Sequence, residues 1–380
     1  MPHYFCTSES VSIGHPDKIA DQIADGVLDA YLEADPDACV ACEAMVTRNL
    51  VVLGGEITAK AQLDLEEPVR RIIQEAGYGV PDLGFDCLSC ALISLIHPQA
   101  TDIALEAASK RLVAGDQGVV FGYASDETPE LMPLPILLAH RIMRELRLLR
   151  SQNRLSYLRP DAKTQVTIEY DPEGRPVRIH SVLLSTQHTD LISLPNLRGD
   201  LLDWMHTILP KDLIDPQTLF YLNPAGKFAA GGPAADTGLT GRKLMVDTYG
   251  SSCAHGGGSF SGKDPSKIDR SGAYMARYIA KNVVSSGLAS RCTVQLAYGP
   301  GIPYPIAINL FSQGGENLPN EILLKAVKQV FPLELEGIVS MLKLRKPIYR
   351  RTAYEGHFGK NTAAFSWEQT DQANALLRSL

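Results

Sequence analysis

Pairs of short strands alternate with helices along this chain, and this order restricts the folds that it can adopt. Residues 39–45 and 50–57 predict two strands joined by a short turn, and residues 66–75 predict the helix that follows. Residues 165–170 and 177–185 predict a second hairpin around an Asp-Pro-Glu-Gly turn. Strands joined by short turns pair antiparallel, so the sequence predicts an α+β fold with mostly antiparallel sheets.

The most regular helical pattern covers residues 13–33. Apolar residues recur there every four positions from Ile19, and acidic residues with the same spacing occupy another face from Asp21. A helix is also predicted over residues 265–284, with Asp264 as its N-cap and Pro265 at its first position. The other predictions are helices over 133–150 and 321–330, strands over 244–248, 293–298 and 306–310, and a buried apolar run over 87–96.

The chain of 380 residues exceeds one ordinary core, so we expect two or three domains. Its formal net charge is −7 and its basic residues are dispersed, which argues against nucleic acid as a partner because such binding needs a basic stripe. The N-terminus lacks the features of a signal peptide, and the most apolar stretch, from Leu131, is an interrupted amphipathic helix. We therefore expect a cytoplasmic protein without a membrane partner.

Seven cysteines, an odd number in a long chain, favour reduced thiols over a disulfide framework. Cys39/Cys42 and Cys87/Cys90 are each spaced as C-x-x-C, which leaves a zinc site as an alternative. The gap between the two pairs is far longer than in a compact zinc ribbon. Buried cysteines that act as small apolar side chains are the simpler interpretation.

The first group of residues able to do chemistry is GHPDK, residues 14–18, at a helix start. It places an imidazole, a carboxylate and an ammonium beside the positive end of a helix dipole. Asp17 is a hard oxygen ligand for Mg²⁺, and His15 and Lys18 suit phosphate oxygens. The alternative is that Asp17 and His15 only cap the helix.

The second group is GGSFSGK, residues 257–263, which fits the first seven positions of a phosphate-binding P-loop. The eighth position holds Asp264 in place of Ser or Thr. Lys263 and Lys267 are four residues apart across a helix start, so both can approach one anion, and Asp269 offers a second metal carboxylate. The alternative is a glycine-rich loop before an ordinary charged helix.

The third group lies in a second glycine-rich loop, where Lys227-Phe228 suits a nucleobase or ribose and Arg242-Lys243 suits phosphate. A solvated loop with scattered charges is the alternative. The chain has no G-x-S-x-G elbow and no H-E-x-x-H motif. Its repertoire of cations, carboxylates and glycines therefore predicts catalysis by positioning and electrostatics around a polyphosphate.

Together these stretches closely resemble the S-adenosylmethionine synthetase (methionine adenosyltransferase) family. The resemblance extends from Thr7 to Lys360, and GHPDK followed by GGGSFSGKDPSK is very specific. The stretches that carry it are TSESVSIGHPDKIADQIADGVLDAYL, GGEIT, GDQG, FGYASDET, RPDAKTQV, GGPAADTGLTGRKLMVDTYG, HGGGSFSGKDPSKIDRS and EGHFGK.

The resemblance implies the reaction of ATP, L-methionine and water to S-adenosylmethionine, phosphate and diphosphate. The methionine sulfur displaces the whole triphosphate from C5′ of ATP, and the triphosphate is cleaved before release. A thioether needs no base, whereas fixed cations can stabilise the charge that the leaving triphosphate gathers. The alternatives are an ATP-dependent phosphotransferase, which would release ADP, and a non-catalytic nucleotide-binding homologue.

The same matching implies a role for individual residues. The implied catalytic residues are His15, Lys163, Lys263, Asp236 and Arg242. The implied ATP contacts are His15, Asp161, Lys163, Lys227, Phe228, Asp236, Arg242, Lys243, Ser259 and Lys263. The implied methionine contacts are Glu56, Gln99, Asp236 and Lys267. The implied metal ligands are Asp17 and Asp269 for two Mg²⁺ per site and Glu43 for one K⁺.

The resemblance also implies an architecture of three similar α/β-sandwich domains, with antiparallel or mixed sheets and helices, around a pseudo-threefold axis. We expect an N-terminal domain over 1–98, a mobile active-site loop over 99–116, a central domain over 117–229 and a C-terminal domain over 230–380, with segments interleaved in space. A homodimer with shared active sites, within a dimer of dimers, is implied as well. Ile13, Lys227 and the shorter 99–116 loop depart from the family's pattern.

Overall fold

The computed structural model describes residues 2–99, 112–315, 318–360 and 363–380. Strands and helices alternate along these residues, as the sequence predicts. The strands are β1 Tyr4–Val11, β2 Cys39–Thr47, β3 Leu50–Thr58, β4 Ala91–His97, β5 Gly118–Ser125, β6 Leu158–Tyr170, β7 Pro176–His188, β8 Leu219–Leu222, β9 Gly238–Leu239, β10 Arg291–Tyr298 and β11 Ala307–Gln313. The helices are α1 Pro16–Ala34, α2 Glu66–Ala76, α3 Leu134–Ser151, α4 Leu194–Ile208, α5 Leu244–Asp247, α6 Ile268–Ser285, α7 Asn320–Val330, α8 Leu335–Met341 and α9 Ala373–Arg378.

The strands form three sheets whose members come from distant parts of the chain. Their orders are β1-β6-β7-β8, β11-β10-β5 and β4-β3-β2-β9. Antiparallel pairing predominates, and only β3–β4 and β7–β8 are parallel within the described residues. In each sheet one strand arrives from far along the sequence: β1 pairs with β6, β5 with β10, and β9 with β2. The α+β class with mostly antiparallel sheets is therefore confirmed.

Each sheet carries helices on one face. Helix α1 packs on β2, α3 packs on β6 and β1, and α6 packs on β5 and β10. Helix α1 begins where His15 caps it and Pro16 occupies its first turn. The predicted apolar series from Ile19 is buried, but Asp17, Asp21 and Asp25 of α1 are buried too, the last two fully inaccessible. Burial of carboxylates at this density requires partners, and those partners position the candidate site.

Two short-range predictions are wrong. Residues 244–248 form the single turn of α5, closed by a bond from the Asp247 N–H to the Lys243 carbonyl (2.8 Å), rather than a strand. Four apolar-rich residues cannot distinguish a buried helical turn from a strand by periodicity. Residues 87–96 are not a buried run: β4 begins at Ala91, and Ile93 and Leu95 on it are exposed.

The structure agrees with the prediction of reduced, largely buried cysteines. All seven cysteines are free thiols. Cys42, Cys87 and Cys90 are buried, and Cys39 is partly buried. Burial raises the pKa of Cys42 to about 12, so this thiol stays protonated and behaves as an apolar side chain.

No helix in the described part of the chain is both long enough and apolar enough to cross a bilayer.

The backbones of β5 and α6 lie in direct contact where the two elements cross. A Cβ atom built on Gly122 would lie 1.9 Å from the carbonyl carbon of Ala276. The two backbones therefore touch directly, and only glycine fits at this position of β5. Arg277, next to Ala276, donates from Nη1 to the Tyr123 carbonyl (2.7 Å), which holds the same contact.

We expect Gly122→Ala to lower the free energy of unfolding by about 2–3 kcal/mol or more, because the methyl group must push α6 away from β5. Denaturant titration measures this loss. Gly199→Ala is the matched control, because Gly199 lies within α4 with open space around it. The control should gain about 0.5–1 kcal/mol from higher helix propensity. Equal stability of the two variants would contradict the direct backbone contact.

Candidate functional site

His15 lies at the start of α1, almost completely buried. Its Nδ1 accepts the N–H of Asp17 (3.1 Å), so Nε2 carries the proton of the neutral ring. Burial, and then the positive charge of Lys243, lower the pKa of His15 to about 3. His15 is therefore a neutral hydrogen-bond donor at physiological pH and not a cation.

Asp17 connects this helix start to the loop that contains Arg242 and Lys243. Its Oδ1 accepts the N–H of Leu239 (3.0 Å), and its Oδ2 accepts from Lys243 Nζ (2.5 Å). Arg242 Nη1 lies 3.6 Å from the same carboxylate. Burial opposes the charge of Asp17, but the bonds from Lys243 and Leu239 outweigh it and hold the Asp17 pKa below its usual value. Two cations and one carboxylate thus converge beside His15.

The glycine-rich loop before α6 is fixed on the edge of β2. The Gly262 carbonyl accepts the N–H of Cys42 (2.9 Å), and Lys263 pairs antiparallel with Ala41. The loop therefore extends the β4-β3-β2-β9 sheet locally, while the Lys263 side chain reaches Asp269 Oδ2 (2.5 Å).

Asp264 does not cap α6, contrary to the sequence-based prediction. The helix begins at Ile268 with Lys267 as its N-cap. Asp264 Oδ2 instead accepts the N–H of Val40 (2.6 Å) and pairs with Lys267 Nζ (2.5 Å). Its local bond to the Ser266 N–H (2.7 Å) resembles a cap, which explains the error. Asp264 thus attaches the loop to β2.

A buried ion pair supports this loop from below. Asp25 on α1 forms a bidentate pair with Arg270 on α6, at 2.7 and 2.8 Å, and both side chains are inaccessible to solvent. Asp25 Oδ1 also accepts the N–H of Gly262 (2.8 Å), and Arg270 Nη1 donates to the Lys263 carbonyl (3.0 Å). The pair therefore holds the backbone on both sides of the Gly262–Lys263 peptide.

A second buried network supports the Arg242-Lys243 loop. Lys18 contacts Asp247 and lies 3.1 Å from Asp21, whose Oδ1 accepts the N–H of Gly241 (2.9 Å). Burial, opposed by Lys18, raises the pKa of Asp21 to about 7. The sequence analysis assigned Lys18 to phosphate, but the structure places it in this supporting network, fully buried. The signal that could have found the network is the four-residue spacing of the acids on α1.

A further carboxylate, that of Asp161, contacts the loop of residues 228–232. Asp161 is almost fully buried, and burial raises its pKa to about 6. Its Oδ2 accepts the N–H of Gly232 (2.9 Å), while Oδ1 has no hydrogen-bond partner among the described residues. Phe228 packs close to Gly231, next to this carboxylate. An unpaired buried acceptor beside an aromatic ring suits a ligand that carries hydroxyl or amino donors.

We use the term polar cluster for two neighbouring groups together: His15, Asp17, Arg242 and Lys243, which meet around Asp17, and the Lys263–Asp269 pair of the glycine-rich loop. Two further predicted residues lie near it: Lys163 lowers the pKa of His15 through its charge, and Ser259 packs against Gly241. Glu43 lies close to Lys263, and burial raises the Glu43 pKa despite that charge. The six residues of the polar cluster come from the three groups that the sequence analysis treated separately.

Other predicted site residues make their contacts elsewhere in the described part of the chain. Glu56 lies 3.5 Å from His97, and the Gln99 N–H bonds to Thr58. Lys227 pairs with Asp190 (2.8 Å) on an exposed surface. Asp236 is exposed, and its N–H bonds to the Gly232 carbonyl (3.1 Å). Most of the predicted 99–116 loop, residues 100–111, lies outside the described residues.

The donor chemistry of the polar cluster fits Mg²⁺. Asp17 and Asp269 supply hard carboxylate oxygens, each now paired with a lysine. No group of three or more His, Cys, Asp and Glu side chains converges anywhere in the described ranges. Magnesium is usually held by one or two carboxylates together with phosphate oxygens and water, so such a convergence is not required. The carboxylates fit a metal that arrives with a polyphosphate.

We expect Asp25→Asn to lower the free energy of unfolding by about 3–5 kcal/mol, because Arg270 would keep a buried charge without its partner. Denaturant titration measures the loss. Asp37→Asn is the control, since Asp37 forms an exposed pair with Arg345 and should cost less than about 1 kcal/mol. Similar losses in both variants would show that the Asp25–Arg270 pair does not support the fold.

Three protein-family profiles match consecutive parts of this chain. They describe the N-terminal domain of S-adenosylmethionine synthetase over residues 3–101, its central domain over 111–228 and its C-terminal domain over 230–369. Together they cover nearly the whole chain, and the polar cluster draws on the first and the third. The chain therefore belongs to the S-adenosylmethionine synthetase family, the methionine adenosyltransferases, which make S-adenosylmethionine from ATP and methionine.

Proposed function

We propose that this enzyme uses the polar cluster to bind the triphosphate of ATP while the methionine sulfur attacks C5′, and that it then hydrolyses the triphosphate to phosphate and diphosphate. One observation carries the assignment of the cluster. Arg242 and Lys243 meet at Asp17 beside the neutral His15. The glycine-rich loop that carries the Lys263–Asp269 pair packs against this loop through Ser259 and Gly241. Such cations are ready to exchange a carboxylate for phosphate oxygens.

His15 is the group best suited to the breaking C5′–O bond. Its neutral Nε2–H donates a hydrogen bond without the desolvation cost of an added charge, and that bond strengthens as the leaving oxygen becomes negative. Lys163 on β6 and Lys263 in the glycine-rich loop would bind the phosphate oxygens. Arg242 offers two parallel N–H donors, which match a phosphate edge. The attacking thioether carries no proton that must be removed, so the site needs no general base for this step.

Asp17 and Asp269 would hold two Mg²⁺ when the substrate binds, and Glu43 would hold one K⁺. The Mg²⁺ ions supply charge neutralisation on the phosphate oxygens. When Lys243 and Lys263 turn to the phosphates, their carboxylate partners become available as ligands. Burial disfavours the negative charge of Glu43. A bound cation would compensate for this cost, so Glu43 suits the K⁺ role.

The adenosine and methionine would lie on the two sides of Asp236. Asp161 Oδ1, unpaired among the described residues, and Phe228 suit the adenosine. Glu56, Gln99 and Lys267 are proposed for the methionine carboxylate and amino groups. Lys227 is proposed for ATP as well, which would require it to leave Asp190.

A second copy of the chain would bring the separated residues together. Glu56 and Gln99 lie beside β4, whose side chains Ile93 and Leu95 are 44% and 64% exposed. Phe311 on β11 is likewise exposed. Apolar side chains on open sheet faces favour association, so we propose a homodimer with sites shared between subunits, within a dimer of dimers.

The proposed domains are 1–98, 117–229 and 230–380, with 99–116 as the active-site loop. Three sheets, each with helices on one face, support the proposal of three similar units around a pseudo-threefold axis. The loop is proposed to close over bound substrates, in line with its position between the first two domains.

We expect Lys263→Met to lower kcat by about 10²–10³-fold, because one fixed cation is lost from the leaving triphosphate. Product analysis with ATP, methionine, Mg²⁺ and K⁺ should show S-adenosylmethionine, phosphate and diphosphate. Lys325→Met, an exposed change on α7, is the matched control and should keep normal turnover. Accumulation of ADP would contradict adenosyl transfer, and normal turnover of Lys263→Met would contradict the phosphate role.

We expect the neutral state of His15 to make stability fall at acid pH. The His15 pKa is lowered from 6.5 to about 3 in the folded chain, so its stabilising effect is complete above pH 6.5 and is lost as the pH falls towards 3. Between pH 7.5 and pH 5, the wild type should lose about 1–2 kcal/mol more than His15→Gln in urea titrations.

His206→Gln is the control for this experiment, since His206 is an exposed residue of α4. This variant should follow the wild type at both pH values. If His15→Gln follows the wild type as well, His15 is not held neutral by its surroundings.

A further inference from the structure

A cavity of about 560 Å³ lies between α3 on one side and residues 351–360 and Phe365 on the other. None of its lining residues belongs to the polar cluster or to the residues proposed for ATP, methionine or metals. Its size is that of a site for a small organic molecule. The family's known reaction therefore leaves this cavity without a role.

Positive charge exceeds negative charge along the walls. Arg141, Arg144 and Arg147 follow one another at three-residue spacing along α3, so they project from neighbouring positions of one helix face. Arg351 and Lys360 line the opposite wall. The walls also carry three carboxylates, Glu130, Glu145 and Glu355. When Lys360 is protonated, five cations against three carboxylates leave an excess of two positive charges.

Only two ion pairs join these groups in the described residues: Arg144 with Glu145 (3.6 Å) and Arg147 with Glu355 (3.2 Å). Arg351 faces the ring of Phe365 at 5.9 Å instead of a carboxylate. The guanidinium of Arg141 is exposed and has no ion pair among the described residues. Two arginine forks are thus available to one guest.

Two residues that line the cavity also have buried polar atoms without a partner among the described residues. They are His140 Nε2 and Arg147 Nε. His140 is only 5% exposed, and its Nδ1 bonds to Ser10 Oγ (2.9 Å). When Ser10 donates to Nδ1, the Nε2 atom carries the ring proton and becomes an unpaired donor. Buried polar groups are rarely left unpaired, so these two atoms add polar character to the walls of the cavity.

Lys360 adds a basic side chain to the cavity wall, and burial disfavours its charged form. Its Nζ donates to the carbonyls of Arg351 (2.7 Å) and Thr352 (3.2 Å), and it lies 5.7 Å from the ring of Phe365. Burial, opposed by Glu355, lowers the pKa of Lys360 to about 7. An anion in the cavity would stabilise the protonated form of this lysine.

We propose that this cavity is a second ligand site, separate from the polar cluster, that binds a small dianion through the arginines of α3, Arg351 and Lys360. Two negative charges match the excess charge of the walls. Phosphate and carboxylate groups share the planar oxygen edges that guanidinium forks recognise. Leu137 and Tyr354 supply an apolar margin for the remainder of an organic anion. The site does not depend on the residue roles proposed for ATP and methionine.

Calorimetric titration of the full-length chain with inorganic phosphate, diphosphate and succinate tests the proposal. The Lys263→Met background is used without Mg²⁺, so that binding to the polar cluster is weakened. At least one probe should bind with one site per chain. Arg351→Gln or Arg141→Gln should weaken that binding about tenfold or more, the loss expected for one charged hydrogen bond. Arg71→Gln, which changes an exposed arginine of α2, is the matched control and should bind normally.

The outcomes separate the two chemical classes and the proposal from its failure. Binding of phosphate or diphosphate without succinate assigns a phosphoryl ligand, and the reverse assigns a dicarboxylate. Absence of binding for all three probes up to about 10 mM overturns the site. So does equal affinity of Arg351→Gln, Arg141→Gln and Arg71→Gln for the bound probe. Thermal melting of each variant confirms that these exposed substitutions leave the fold intact.

Discussion

The rest of the structure depends on the acidic side chains of α1, which hold distant segments by their backbone N–H groups. These carboxylates recur every four residues, so they form one row along the helix. The row members accept backbone N–H groups from three later segments: Asp17 from Leu239, Asp21 from Gly241, Asp25 from Gly262 and Asp29 from Tyr349 and Arg350. One helix from the first hundred residues therefore fixes three segments in the last half of the sequence.

This row is costly to bury, and the cost is offset by cations from the segments it holds and from α1 itself. Arg270 neutralises Asp25, and Lys18 lies between Asp21 and Asp247. Compensation is incomplete at Asp21, since burial still raises its pKa to about 7. Removal of any one partner leaves a buried charge, which costs more than the pair contributes. The row therefore makes the fold specific: the two functional loops have one position in which the charges balance.

The sequence predicted most elements but not this row's function. Periodicity located α1, and turn chemistry located both long hairpins, because these signals are local. The acids of α1 were interpreted as another face of an amphipathic helix, and their burial depends on β9 and α6, which are more than two hundred residues away. Local pattern also failed for residues 244–248, where one turn of helix and a strand have the same apolar content. The site was predicted by motif resemblance, whereas its supports required the tertiary contacts.

The P-loop likeness of residues 257–263 changes meaning once the supports are known. In a P-loop the glycine-rich segment links a strand to a helix, and its N–H groups are free for phosphate. Here Lys263 pairs with Ala41 on the edge of β2, and the Gly262 N–H is already bonded to Asp25. These backbone groups are already bonded within the fold, so the Lys263 side chain, rather than the loop backbone, is the group proposed to bind phosphate. Asp264, the residue that breaks the P-loop motif, accepts the Val40 N–H and so fixes the strand-like position of the loop. The same substitution that removes a magnesium hydroxyl therefore supplies the anchor that presents Lys263 to Asp269.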